Sequence, residues 1–211
     1  MLARGPWSPQ QVEVRWRDDR FAAPPEVDRL ADEAVRSLAE RGSPAHDGEA
    51  ARLARHAEDH ERLELELQPA RWALRLLDGA AQHSLTALCV VRRRDGSWLA
   101  GHRASWLASW SDRWALGAGG AVEVGESPVD TLVRELEEEW RLVPDELRVE
   151  ALVALPSELV MLVGTAEVPA DATPVPDDEH DEFAWWPPDP ESWPEEADWR
   201  LRRMGTLLSG G

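Results

Sequence analysis

Between Gly119 and Leu142 the chain reads GGAVEVGESPVDTLVRELEEEWRL, which places six glutamates and one aspartate within 24 residues. Like charges three or four residues apart on a helix repel by about 0.2–0.5 kcal/mol per pair, so this crowding calls for solvent or for a cation. A helix is still expected here. Ser127 precedes Pro128, and Asp130 follows three residues after Ser127; this is a capping-box-like start in which the missing proline N–H costs nothing. From there Val129, Leu132, Val133, Leu136 and Trp140 fall on one stripe that can pack against a sheet. Glu135, Glu138 and Glu139 share a neighbouring face. Arg134, one turn before Glu138, can pin its carboxylate, whereas Glu137 points to solvent. A bare run of acids on a helix is most often a solvated face. Three convergent carboxylates with few cations nearby in sequence also make a site for a hard divalent cation, which takes oxygen ligands. The glycines of the preceding GAGGAVEVGE favour the cation, because they let the backbone turn tightly and bring a carbonyl and Glu126 toward the same ion.

The rest of the chain divides near residue 82. Before it, Val27, Leu30, Ala31, Ala34, Val35 and Leu38 recur at helical spacing behind Pro24 and Pro25, predicting an amphipathic helix over 24–40. QVEVRW and ERLELELQP alternate as strands do, RGSPAHDGE reads as a loop, and RWALRLLDG as a short helix closed by Gly79. After His83 the pattern turns apolar and β-rich. Asp95-Gly96 joins SLTALCVVRR to SWLAGHR as a hairpin. LRVEALVALP and ELVMLVGTAEVP predict two paired strands, and EFAWWP a short last strand. The end of the chain predicts a helix with Trp199, Met204 and Leu207 or Leu208 facing inward.

Forty-one acids against 23 bases, all arginine, give a net charge of −18. A field of that sign disfavours nucleic acid and anionic membrane as partners. It also repels a small phosphorylated substrate unless a metal ion intervenes. The single cysteine, Cys89, lies in the apolar run LTALCVV and reads as a buried, inert thiol. No apolar run approaches the ~20 residues of a membrane span, and a cytoplasmic protein is expected.

The segment from Gly120 to Leu142 resembles the box of the Nudix hydrolase superfamily. Gly120 opens the match, Glu126 follows after five residues, and Arg134-Glu135-Leu136, then Glu138-Glu139, then Leu142 fall at the family spacing; Arg141 replaces the last family glycine. The resemblance implies an α/β (α+β) Nudix fold, a mixed β-sheet sandwiched between helices, over residues 83–211, with 1–82 as an N-terminal accessory region. It implies hydrolysis of the pyrophosphate in a nucleoside diphosphate linked to another moiety. A nucleoside diphosphate sugar is the candidate within that class, because residues 43–79 faintly resemble the segment before the box in hydrolases of such sugars. Mg²⁺, or Mn²⁺, would be held by Glu135, Glu138 and Glu139, with Glu126 and the Gly119 carbonyl as further or water-mediated ligands and Arg134 orienting the carboxylates. The general base varies in this family between a box glutamate and an acid of a later loop, and DDEHDEFAWW offers Glu179 and Glu182. His180 is expected at the surface. Arg103 is a candidate for substrate phosphate; Trp106, Trp110 and Trp114 are candidates for stacking, each more often a core residue, and Trp106 is carried forward as a substrate contact. A homodimer is expected from family habit. The competing reading is a Nudix-fold nucleotide-binding or regulatory module without turnover. In either case Arg141 must leave the helix in a left-handed turn or let it run on to Pro144.

Overall fold

The computed structural model describes residues 1–42, 47–59, 61–107 and 110–209; part of the loop expected over 41–49 lies outside them. In chain order the elements are β1 (Ala3–Trp7), β2 (Val12–Trp16), α1 (Pro25–Glu40), β3 (Glu49–Glu58), β4 (Leu63–Arg71), a 3₁₀ helix (Trp72–Leu76), β5 (Leu85–Arg93), β6 (Trp98–Arg103), β7 (Trp114–Leu116), β8 (Ala118–Ala121), α2 (Pro128–Trp140), β9 (Glu146–Ala154), β10 (Val160–Val168), β11 (His180–Trp186) and α3 (Trp199–Ser209). The expected strands at 11–16, 61–69 and throughout the second half form, as do the helices at 24–40 and from Ser127 onward. The helix expected from Arg71 is only a 3₁₀ turn, after which Gly79 reverses the chain at φ 73°. β1 and β3 were not anticipated, because GPW and RLARHAE lack a clean alternation.

β5 lies inside a mixed eight-stranded sheet ordered β1-β9-β10-β5-β6-β11, with β7 joined to β6 and β8 to β5. It runs parallel to β10 and antiparallel to β6 and β8. Both of its faces are covered, which is why LTALCVV is apolar without alternation. Leu85, Ala87, Cys89 and Val91 face one core, and Val90 faces another. The first core is roofed by Val129, Leu132, Leu136 and Trp140 of α2, four residues of the stripe expected from the sequence; the fifth, Val133, is only half-buried and stands outside that core. Gly164 of β10 makes room for that roof, since a Cβ there would lie 2.5 Å from a Leu132 methyl. The second core explains much of the tryptophan content. Trp98, Trp186 and Trp193 pack with Leu201 of α3, and Trp193 meets Trp98 and Trp186 at ring separations of 5.6 and 5.2 Å. Trp110 and Trp114 pack against this cluster as core residues. On α3 the inward set differs from the expected one: Leu201 and Gly205 are buried, Met204 and Leu208 pack against them, and Trp199 and Leu207 are exposed. Cys89 is fully buried, and burial pushes its thiol up to about 12, as expected of an inert residue.

Residue 82 is not a seam in the packing. β1 pairs with β9 in the large sheet. The three-stranded sheet β2-β4-β3 packs Ala51, Leu53, Leu63, Leu65 and Leu67 into the same core as Leu132 and Trp140. Ala51 N–H donates to the Val122 carbonyl at 2.8 Å, and Leu53 N–H to the His83 carbonyl at 2.9 Å. These bonds lay β3 beside the strand-to-helix connection that carries the acids.

Candidate active site

The local sequence builds the acidic wall in three steps. β8 brings Gly119 and Gly120 alongside β5, where Gly119 lies opposite Leu88 and Gly120 opposite Ala87. The chain then turns through Gly125 at φ 88°, and Ser127 caps α2 by accepting the Val129 N–H at 3.3 Å. At the far end Arg141 adopts φ 54° and ψ 33°, so the helix leaves by the left-handed turn rather than running on to Pro144. Its N–H still bonds to the Glu137 carbonyl at 2.9 Å, and Leu142 N–H reaches back to the Leu136 carbonyl at 3.4 Å.

Arg134 organises the acids. Its guanidinium meets Glu126 at 2.9 Å, Glu135 at 2.8 Å and Glu138 at 3.0 Å, and it donates to the Ala121 carbonyl at 3.2 Å. Helix spacing suggested the pairing with Glu138, and the family resemblance implied that Arg134 orients the other carboxylates as well. Burial would raise the Glu126 carboxyl, but Arg134, Thr131 and the Glu123 N–H together hold it below the usual range. For Glu135 the balance reverses, and burial raises it despite Arg134. Glu139 is only 4% exposed, and burial pushes it well above an ordinary carboxyl. One of its oxygens accepts the Gly119 N–H at 2.9 Å, while Oε2 is buried without a hydrogen-bond partner. Among the described residues no three acids, histidines or cysteines already stand at metal-ligand spacing. Arg134 draws Glu126, Glu135 and Glu138 to itself, so the convergence expected from the helix spacing is not at ligand distance here.

These acids form one wall of a cavity of about 600 Å³, a volume that suits a nucleotide-sized ligand. The rest of the lining includes Trp72 and Arg75 from the 3₁₀ helix, Arg103 at the end of β6, Trp106 just beyond it, and Asp177 and Glu179 from the loop before β11. That loop is tied to the end of α2, where the Asp177 N–H donates to the Glu139 carbonyl at 3.0 Å. Arg103 meets Glu179 at 3.2 Å.

The NUDIX domain model matches residues 82–207. The chain belongs to the Nudix family. Its sheet and helices follow the Nudix fold expected from the box, and the expected enzyme class, hydrolysis of a phosphoric anhydride, goes with the family. No curated protein matches the chain by sequence. Among solved structures it is similar to the MutT NUDIX hydrolase of Burkholderia pseudomallei, at 20% identity over 59% of this chain and 97% of that one, with a TM-score of 0.49. It is also similar to the NUDIX domain of Shewanella oneidensis NrtR complexed with ADP ribose, at 20% identity over 59% and 87%, TM-score 0.47. A C. elegans Ap4A hydrolase aligns at 20% identity over 59% and 92%, TM-score 0.45.

Within this Nudix domain the residues singled out from sequence are sorted unevenly. Gly119, Arg134, Glu135, Glu138, Glu139, Arg103, Trp106 and Glu179 all line the cavity. Glu126 stands behind it, held by Arg134. Glu182 does not line it: it is exposed on β11, opposite His102, because an irregularity in the β6–β11 register between His180 and Glu182 breaks the alternation that would have kept it on the face of His180. Trp106 is 40% exposed at the cavity rim and is no core residue. His180 is not on the surface. It is 5% exposed, packed 4.3 Å from the Trp140 ring, with Nδ1 3.2 Å from Asp177 and Nε2 3.7 Å from Glu139, and burial lowers its pKa. Asp177 and Arg75 were missed. Asp177 begins the acidic run already noticed, so its neighbours could have indicated it; Arg75 is one arginine of 23 bases in an unremarkable RWALRLL, and nothing in the sequence distinguishes it.

Proposed function

We propose that the protein is a divalent-metal-dependent hydrolase that cleaves the pyrophosphate of a nucleoside diphosphate linked to another moiety. The observation that carries this reading is the buried Glu139 Oε2, which accepts no hydrogen bond and has only His180 Nε2 at 3.7 Å, among the acids that line a nucleotide-sized cavity. An orphaned carboxylate oxygen inside a protein is costly, and a hard cation satisfies it. The donor set of Glu135, Glu138 and Glu139, with Glu126 and the Gly119 carbonyl in reserve, fits Mg²⁺ or Mn²⁺. When bound, such an ion neutralises the diphosphate and lowers the pKa of water beside it.

The chain's own groups do the rest. The Gly119 N–H fixes one oxygen of Glu139 and so aims the other. Arg134 positions Glu126, Glu135 and Glu138, which occupy its guanidinium. Arg103 binds a substrate oxyanion while holding Glu179, whose half-exposed carboxylate is the candidate to take the proton from the attacking water. Trp106 offers its exposed ring to a base or sugar.

The test is product release from nucleoside triphosphates, dinucleoside polyphosphates, ADP-ribose, NADH, coenzyme A and UDP- or GDP-sugars, with Mg²⁺, with Mn²⁺ and with chelator. Glu139→Gln keeps the oxygen that accepts from Gly119 but removes the anionic one. Turnover of one substrate class that falls at least about 10²–10³-fold in Glu139→Gln, with the melting temperature preserved, is expected. Full activity in that variant overturns the metal assignment. Nucleotide binding without any turnover by the parent protein turns the assignment to a binding module.

A further inference from the structure

Three arginines line the cavity, and they are placed differently. Arg134 is committed to Glu126, Glu135 and Glu138. Arg103 is shared with Glu179, although its Nε is buried without a partner. Arg75 forms no ion pair within 4.0 Å among the described residues. Its guanidinium carbon sits 5.7 Å from the centre of the Trp72 ring, within reach of a cation–π contact that limits where the side chain points. Burial lowers its pKa; Glu135 and Glu179 favour its charge and Arg103 opposes it, so all three lie close enough to act on it.

A half-buried cation near another cation is costly unless anions lie close to both. The protein as a whole carries 18 net negative charges, so paired guanidinium groups at this cavity run against its overall field. Guanidinium groups bind phosphate by two parallel N–H donors, which a pair of them can do from both sides.

We propose that Arg75, carried by the N-terminal region, binds a phosphate of the substrate jointly with Arg103, so that residues before the Nudix domain complete its active site. The identity of the anion rests on the hydrolase reading above; the presence of an anion subsite does not. The acids and the two arginines line one cavity, so the ligand class is a diphosphate whose charge is divided between a cation held by the acids and the guanidinium groups.

Binding of α,β-methylene-ADP, a diphosphate that resists cleavage, is measured by calorimetry in the presence of Mg²⁺ for the parent chain, Arg75→Ala and Arg75→Lys. Steady-state kinetics on the best panel substrate accompany it. Arg75→Ala is expected to weaken binding roughly tenfold or more and to raise KM by a similar factor, with kcat changed less than about twofold. Arg75→Lys recovers part of the loss, since an ammonium keeps the charge and not the fork. Unchanged affinity and KM with a lower melting temperature overturn the proposal and make Arg75 a counter-ion of Glu135 and Glu179. A fall in kcat alone overturns it too, as does a parent chain that binds no diphosphate. If the parent binds the analogue but hydrolyses nothing, and Arg75→Ala loses that binding, the hydrolase reading fails and the Arg75 assignment stands.

Discussion

The two walls of the cavity are built in opposite ways. The acidic wall comes from one continuous segment, β8 through α2, and one arginine gathers most of its carboxylates. The other wall is assembled from Trp72 and Arg75, Arg103 and Trp106, and Asp177 and Glu179, three stretches that meet only because β3, β6 and β11 are laid side by side or across the same core. A contiguous wall has its geometry written in residue spacing: 3.6 residues per turn puts Glu135, Glu138 and Glu139 together before any tertiary contact forms. A dispersed wall has its geometry written in the register of strands, which a single sequence does not state.

The sharpest break of this comparison is to remove the N-terminal part of the dispersed wall. A chain beginning at residue 83 keeps nearly all of the stretch matched by the NUDIX domain model. It loses Trp7, Leu53, Leu63, Leu65 and Leu67 from the core they share with α2. At about 1.5–3 kcal/mol for each buried side chain the loss is of order 10 kcal/mol, comparable with the whole stability of an ordinary domain. The truncated chain is expected to lose near-UV circular dichroism and cooperative melting. A truncated chain that melts cooperatively near the parent temperature shows instead that the acidic wall folds alone and that residues 1–82 are only appended.

A smaller perturbation separates the carboxylates from the fold that carries them. A Cβ on Gly120 would lie 2.1 Å from Oε1 of Glu135, and the obstacle is the far end of a flexible side chain rather than backbone. Gly120→Ala therefore forces Glu135 away from Arg134 and from its neighbours while leaving β8 intact. We expect kcat/KM to fall by about tenfold or more, because an ångström of displacement at a reacting group costs that much, with a melting temperature within a few degrees of the parent. Gly119→Ala is a different experiment, since its Cβ meets the Ala87 carbonyl at 2.7 Å and strains the sheet itself. Equal activity in Gly120→Ala and the parent removes Glu135 from the working site.

What could be read in the sequence follows the same division. The stripe Val129, Leu132, Leu136, Trp140 and the cap at Ser127 were legible because helix geometry is local. The strand β5 was legible as an apolar run before a hairpin turn, while the cover on both its faces shows only in the packing. His180 was misjudged as a surface residue because its burial depends on Trp140 arriving from α2 and on β11 pairing with β6. Glu182 was misjudged because strand phase, and not nearness along the acidic run, decides which of those acids faces the cavity. Arg75 stayed invisible because a 3₁₀ turn outside the box is carried to the cavity by the core packing of β3 and β4.

The smallest effect tests whether the departure from the family box matters to the acidic wall. Arg141 occupies the left-handed region that an L side chain adopts at a cost of roughly 1–2 kcal/mol. Glycine at this position removes that strain, while the freer unfolded chain returns up to about 1 kcal/mol of it. The net gain for Arg141→Gly is therefore a few tenths of a kcal/mol to about 1, a rise in melting temperature of about 1–4 °C for a chain of this size. The backbone bonds of the exit, from the Arg141 and Leu142 N–H groups to the Glu137 and Leu136 carbonyls, need no side chain at 141. Arg141 does not line the cavity, so kcat/KM should hold within about twofold. A lower melting temperature would mean that the arginine side chain supplies more than its strained backbone costs. A large gain in activity would mean that the exit turn reaches back two residues to Glu139, and that the acidic wall is less self-contained than its contiguous sequence suggests.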